Sequence, residues 1–127
     1  MKISELTGQK LDYLVAIAEG YVMERPHDMQ MIKGEERILV GPQSVYQKQY
    51  EYSPSTNWAQ GGPIIERECL DLEYHNELVL GDNETWWEAY IRSDCSKVSC
   101  GHTPLIAAMR AYVASKFGDE VPDEVPA

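Results

Sequence analysis

The chain has 127 residues and a formal net charge of −10, from 11 Lys and Arg against 21 Asp and Glu. That length suits one domain with a core of its own, without metal or disulfides. The charge repels a polyphosphate backbone and disfavours general nucleic-acid binding. No run approaches ~18 consecutive apolar residues. The start, MKISELTGQK, has no apolar stretch of the kind a secretory signal needs, so residence in the cytoplasm is expected, away from membranes.

The first predicted element is a helix in LTGQKLDYLVAIAEGY. Thr7 offers a capping hydroxyl, and Leu11, Leu14, Val15 and Ala18 recur on one face. Asp12 and Glu19 fall on or near the wet side, and Gly20 ends the helix. RPHD and KGEE read as turns, and ERILV as a short strand closed by Gly41 and Pro42. SVYQKQYEY alternates imperfectly and places Tyr46, Tyr50 and Tyr52 on one side of an edge strand.

The stretch YSPSTNWAQGGPIIERE, residues 52–68, is the most irregular. A phosphate-binding loop needs Lys and Ser or Thr after its glycines, whereas Pro63, Ile64 and Ile65 follow here. No dinucleotide fingerprint is present either. A short helix fits better, capped by Ser55 or Thr56, with residues 57–60 in its first turn. Two glycines and Pro63 are expected to bend it or split it near Gly62. Ile64 and Ile65 anchor it, Glu66, Arg67 and Glu68 face water, and Trp58 plugs against the sheet or a pocket rim.

CLDLEYH alternates Leu70, Leu72 and Tyr74 against Asp71, Glu73 and His75. WWEAYIR alternates Trp87, Ala89 and Ile91 against Trp86, Glu88, Tyr90 and Arg92. With LGDNET between them as a turn, the two runs predict an antiparallel pair. SDCSKVSCGH is polar and reads as a loop. The last helix starts at Thr103 and Pro104 and presents Leu105, Ala108, Met109, Tyr112 and Val113. Ile106, Arg110 and Phe117 flank that face, and Gly118 stops the helix. DEVPDEVPA then reads as a flexible acidic tail, so the domain is predicted to span 1–118 and the tail 119–127.

The fold class expected is α+β: a small antiparallel sheet flanked by N-terminal and C-terminal helices, with a short bent middle helix, in an α/β/α sandwich-like arrangement. The three cysteines, Cys69, Cys95 and Cys100, are an odd number and argue for free thiols. Cys95, Cys100 and His102, with His75 further off, make an incomplete zinc set, so no metal and no cofactor are expected.

The segments LDYLVAIAEGY, YSPSTNWAQGGPIIERE, WWEAYI and TPLIAAMRAYVASKFGDEV resemble the NinX-like proteins of lambdoid phages. The likeness runs across almost the whole domain and is most specific in the middle and final segments. The order of elements is also similar to the phage ABA-sandwich domain. The resemblance implies a phage or prophage protein made in the cytoplasm of a bacterial host, and it brings no activity and no catalytic residues.

No catalytic constellation emerges, so a non-enzymatic accessory protein is expected, one that binds a small anionic or nucleotide-like ligand or a host protein. The candidate site lies at two helix starts, where free backbone N–H groups favour an anion. Ser53, Ser55, Thr56, Asn57, Trp58 and Gln60 line one start, Thr103 lies at the other, and Arg110 adds positive charge. Capping, core filling and close packing are the plainer uses of the same residues. The alternative is a metal-dependent hydrolase or nuclease of phage DNA metabolism, with Asp71, Glu73 and His75 on one strand face and Glu88 nearby. Solvent-facing charge accounts for that face more simply. A third reading is assembly, possible homo-oligomers included, through Tyr46, Tyr50, Tyr52 and the Trp86 face.

Overall fold

The computed structural model describes residues 1–41 and 51–121. In chain order it contains α1 (Gly8–Ala18), β1 (Val22–Arg25), β2 (Gln30–Lys33), β3 (Glu36–Leu39), α2 (Trp58–Glu68), β4 (Leu70–Val79), β5 (Asp82–Ile91), β6 (Asp94–Gly101) and α3 (Pro104–Phe117). Short 3-10 turns lie at Ile3–Glu5 and Pro26–Asp28. The α+β class expected from the sequence holds. The strands form two antiparallel sheets, β1-β2-β3 and β4-β5-β6.

α3 is the centre of the packing. From Leu105 to Val113 it is buried at every position except Ile106. One side rests on β4, β5 and β6, and α1 and α2 pack on the rest. α3 therefore lies between that sheet and the other two helices. Its run of Ala107, Ala108 and Ala111 is short enough in side chain to let neighbours approach on all sides. α1 contributes Leu11, Val15 and Ala16 to this core, and Asp12 is buried with them, contrary to the wet position expected. Its neighbours at i+3 and i+4 are both core residues, so the buried stripe is wider than the apolar spacing showed. Thr7 precedes α1 in extended conformation without a side-chain capping bond.

α2 runs through Gly61, Gly62 and Pro63 as one element, so of the bend or split expected there the split does not occur. The cap is Asn57, whose Oδ1 accepts from Ala59 N at 2.9 Å, and not Ser55 or Thr56. Ser53 O instead accepts from Thr56 N and Asn57 N, closing a turn just before the helix. Gly61 is there for contact: a Cβ on it would sit 2.4 Å from Pro54 O and 2.6 Å from Leu105 Cδ2. Packing against α3 thus holds a sequence whose local propensity is poor.

β4 and β5 pair in full register from Leu70↔Ile91 to Val79↔Asp82. The turn is only Leu80-Gly81, both at positive φ, which matches the two-residue hairpin geometry that follows strand twist. Alternation is as predicted: Leu70, Leu72 and Tyr74 face Ile91, Ala89 and Trp87, while Asp71, Glu73 and His75 face Tyr90, Glu88 and Trp86. The segment SDCSKVSCGH is strand β6 rather than a loop and pairs with β5 from Trp87↔Gly101 to Ile91↔Asp94. The backbone ladder to β5 outweighs its polar composition, because an outer strand needs few apolar residues.

Two further expectations change. The chain is held through Val121, past the boundary drawn at 118. Val121 is buried, its N–H bonds Met1 O at 2.9 Å, and the Met1 amine bonds Val121 O at 2.7 Å. Tyr52 is core rather than part of an exposed aromatic face, with its ring 5.8 Å from that of Tyr21. Tyr46 and Tyr50 lie outside the described residues.

Candidate functional site

The two helix starts named by the sequence do come together, since Gly61 packs on Leu105. Their polar groups are engaged within the fold. Gln60 Oε1 accepts from Ser53 N at 2.6 Å, and Gln60 Nε2 donates to Glu51 O at 2.8 Å. Asn57 caps α2, and Thr103 Oγ1 accepts from Ile106 N at 3.1 Å to cap α3. Thr56 Oγ1 donates to Ser53 O at 3.4 Å. Trp58 is half exposed at the first position of α2 rather than enclosed. Arg110 is buried; its guanidinium donates to Leu6 O at 2.9 Å and Cys100 O at 2.6 Å, and burial lowers its pKa. It ties α3 to the N-terminal turn and to β6.

Ser55 is fully enclosed, and its N–H donates to Asp12 Oδ1 at 2.9 Å. Its hydroxyl lies beside the same carboxylate and favours the charge, yet it falls short of hydrogen-bond geometry. Burial dominates and pushes the Asp12 carboxyl up from 3.8 to about 6, with the Glu51 charge adding to the rise. This pocket of the fold therefore holds acid rather than base, which does not suit an anion.

The outer face of β4 and β5 is organised differently. Glu73 and Glu88 stand directly opposite each other, and His75 lies two residues along on the same face. His75 Nε2 is 3.1 Å from Glu88 Oε1 and 3.4 Å from Glu73 Oε2. Trp86 stacks on the His75 ring at 5.3 Å and donates its indole N–H to Glu88 Oε2 at 3.0 Å. Tyr90 donates its hydroxyl to Glu73 Oε1 at 2.8 Å. Asp71, grouped with these residues by alternation, is bound instead by Arg92 at 2.8 Å and 3.2 Å, which holds its carboxyl below the usual range.

A family model described as Bacteriophage P22, NinX matches residues 2–116. The chain belongs to the NinX family. No curated protein matches it. Among the described residues no helix is long and apolar enough to cross a membrane.

In this NinX-family fold, β6 pairs with β5 no further along than Trp87, so residues 76–85 extend as a two-stranded arm beyond the third strand. Leu78 and Leu80 on the arm are 71% and 99% exposed, and Tyr74 at its base is 55% exposed. Sequence reasoning placed the hairpin but not the arm, because the length of β6 relative to β5 depends on pairing. It also missed the cluster of Glu19, Arg67 and Tyr112. There Arg67 Nη1 donates to Glu19 Oε1 at 2.9 Å, the Tyr112 hydroxyl donates to the same carboxylate, and the arrangement joins α1, α2 and α3. Arg67 and Tyr112 hold the Glu19 carboxyl below its ordinary value despite burial.

Proposed function

We propose that this NinX-family chain is a non-catalytic phage accessory protein that works by docking another protein on the β4–β5 arm. The supporting observation is the exposure of Leu78, Leu80 and Tyr74 on an element that extends past its own sheet. Covering a leucine side chain contributes about 1.5–3 kcal/mol, so two exposed leucines at the end of a hairpin are a large apolar investment in a chain this acidic. The arm also carries Glu77 directly opposite Glu84, with Asp82 at its tip. Like charges opposed across strands raise the energy of the free arm, and a basic partner relieves that repulsion. The net charge of −10 works against a second copy as the occupant. The partner is therefore a protein with a basic rim around an apolar pocket, from host or phage. A small anionic ligand at the starts of α2 and α3 has weaker support, because the groups that would hold it are already bonded, Ser55 N–H to Asp12 among them.

The test places a photo-crosslinking residue at position 80 and, as a control, at Ser115, in cells carrying the phage. One basic protein should be captured from position 80 alone, and binding of that purified protein should weaken with salt. Leu78→Ser with Leu80→Ser should abolish that binding while circular dichroism and thermal stability stay at parent values. Equal capture from both positions, or binding indifferent to the two serines, would refute the docking role.

A further inference from the structure

We infer that Glu73, His75 and Glu88 form a binding site for a divalent transition-metal ion of the zinc type on the outer face of the β4–β5 pair. The reading is independent of the docking arm. Nothing about the fold needs these groups to converge, and three observations show that they do. First, one oxygen of each carboxylate is already held, Glu73 Oε1 by the Tyr90 hydroxyl and Glu88 Oε2 by the Trp86 indole. The other oxygen of each is the one facing His75 Nε2. Outer hydrogen bonds that orient ligands in this way are the usual support of metal sites.

Second, His75 Nε2 is enclosed and has no hydrogen-bond partner, although two carboxylate oxygens stand 3.1 Å and 3.4 Å away. A protonated imidazole in a simple ion pair would aim its N–H at one of them. A nitrogen close to two oxygens yet bonded to neither is instead the arrangement of ligands around an ion. Ligand atoms about 2.0–2.2 Å from a metal lie about 3.0–3.5 Å from each other in octahedral or tetrahedral geometry. The two measured separations fall in that range, and all three donor atoms lie within 4.8 Å of one another.

Third, Glu73 and Glu88 are directly opposed across the ladder, an arrangement that costs energy unless a cation sits between them. One nitrogen and two carboxylate oxygens suit zinc, nickel, cobalt or manganese and leave further positions for water. Trp86, stacked on the imidazole, restrains the ring plane beside the two carboxylates. Cys100 lies across from Glu88 in β6 and is the nearest soft donor on the same row of the sheet. Its sulfur is not among the three donor atoms that converge, so it is not counted among the ligands.

The experiment titrates the full chain with zinc chloride by calorimetry and follows the imidazole nitrogens by NMR. One equivalent should bind, and the Nε2 resonance of His75, assigned by its loss in His75→Gln, should shift with saturation. His75→Gln and Glu88→Gln should each weaken binding roughly tenfold or more, and Trp86→Phe, which keeps the stacking and loses the N–H, should weaken it by a comparable factor. Cys100→Ser should bind zinc as the parent does. Unshifted His75 nitrogens at saturation would overturn the site and leave a histidine–carboxylate ion pair only. Loss of binding in Cys100→Ser with full binding in His75→Gln would equally overturn it, in favour of a thiol site.

Discussion

Asp12→Asn should make the protein more stable at neutral pH, and the gain should disappear in acid. The Asp12 carboxyl is buried on α1, so its pKa rises from 3.8 to about 6. Between these values the folded state binds the proton more tightly than the unfolded state. Stability from this group is therefore greatest below the unfolded value and is lost as pH rises through about 6. The gap corresponds to about 3 kcal/mol at ~1.36 kcal/mol per pH unit, all of it a penalty once the group is ionised. Asparagine keeps an oxygen to accept the Ser55 N–H and never ionises. It gives up a charge-assisted hydrogen bond, a loss of about 1 kcal/mol, so the net gain is about 1–2 kcal/mol near neutrality. Urea unfolding followed by tryptophan fluorescence at about pH 4.5, 5.5, 6.5 and 7.5 measures parent and variant side by side. The difference between them, free of the other carboxylates, should grow across that window. A difference that stays constant with pH would refute a buried, proton-retaining Asp12.

Adjacent glycines of α2 should respond in opposite directions. Gly62→Ala meets nothing within 4 Å and should stabilise by about 0.5–1 kcal/mol, whereas Gly61→Ala drives a methyl into the Pro54 carbonyl and Leu105 and should cost about 1–3 kcal/mol in thermal or urea unfolding. Tyr112→Phe deletes the hydroxyl shared with Glu19 and Ala18 O and should destabilise by about 1–2 kcal/mol, with Glu19 titrating closer to its ordinary value by carboxyl NMR. Truncation after Gly118 removes buried Val121 and its pairing with Met1, and should cost about 2–3 kcal/mol in urea unfolding; an unchanged midpoint would mean that the segment contributes nothing.

Local pattern was enough for several elements of this protein. Apolar spacing located α1 and α3, strict alternation assigned the two faces of β4 and β5, and Thr103-Pro104 marked where α3 begins. These features depend on residues a few positions apart, whose geometry is set by the backbone period alone. Family membership was likewise legible, since it is a property of the residues themselves. Tertiary structure decided the rest. Pro63 and two glycines left a bent helix and a split one both open, and contact of Gly61 with Pro54 and Leu105 kept it whole. The polar run from Asp94 became a strand because the edge of β5 was there to pair with it. Arg110 lost its role as a free cation because the all-round burial of α3 turns it onto two backbone carbonyls. Glu73, His75 and Glu88 share a face by alternation, but their convergence on one nitrogen needs strand register and the Trp86 and Tyr90 hydrogen bonds. Contacts between residues far apart in the chain carry no signature in a single sequence, because either partner alone is compatible with solvent.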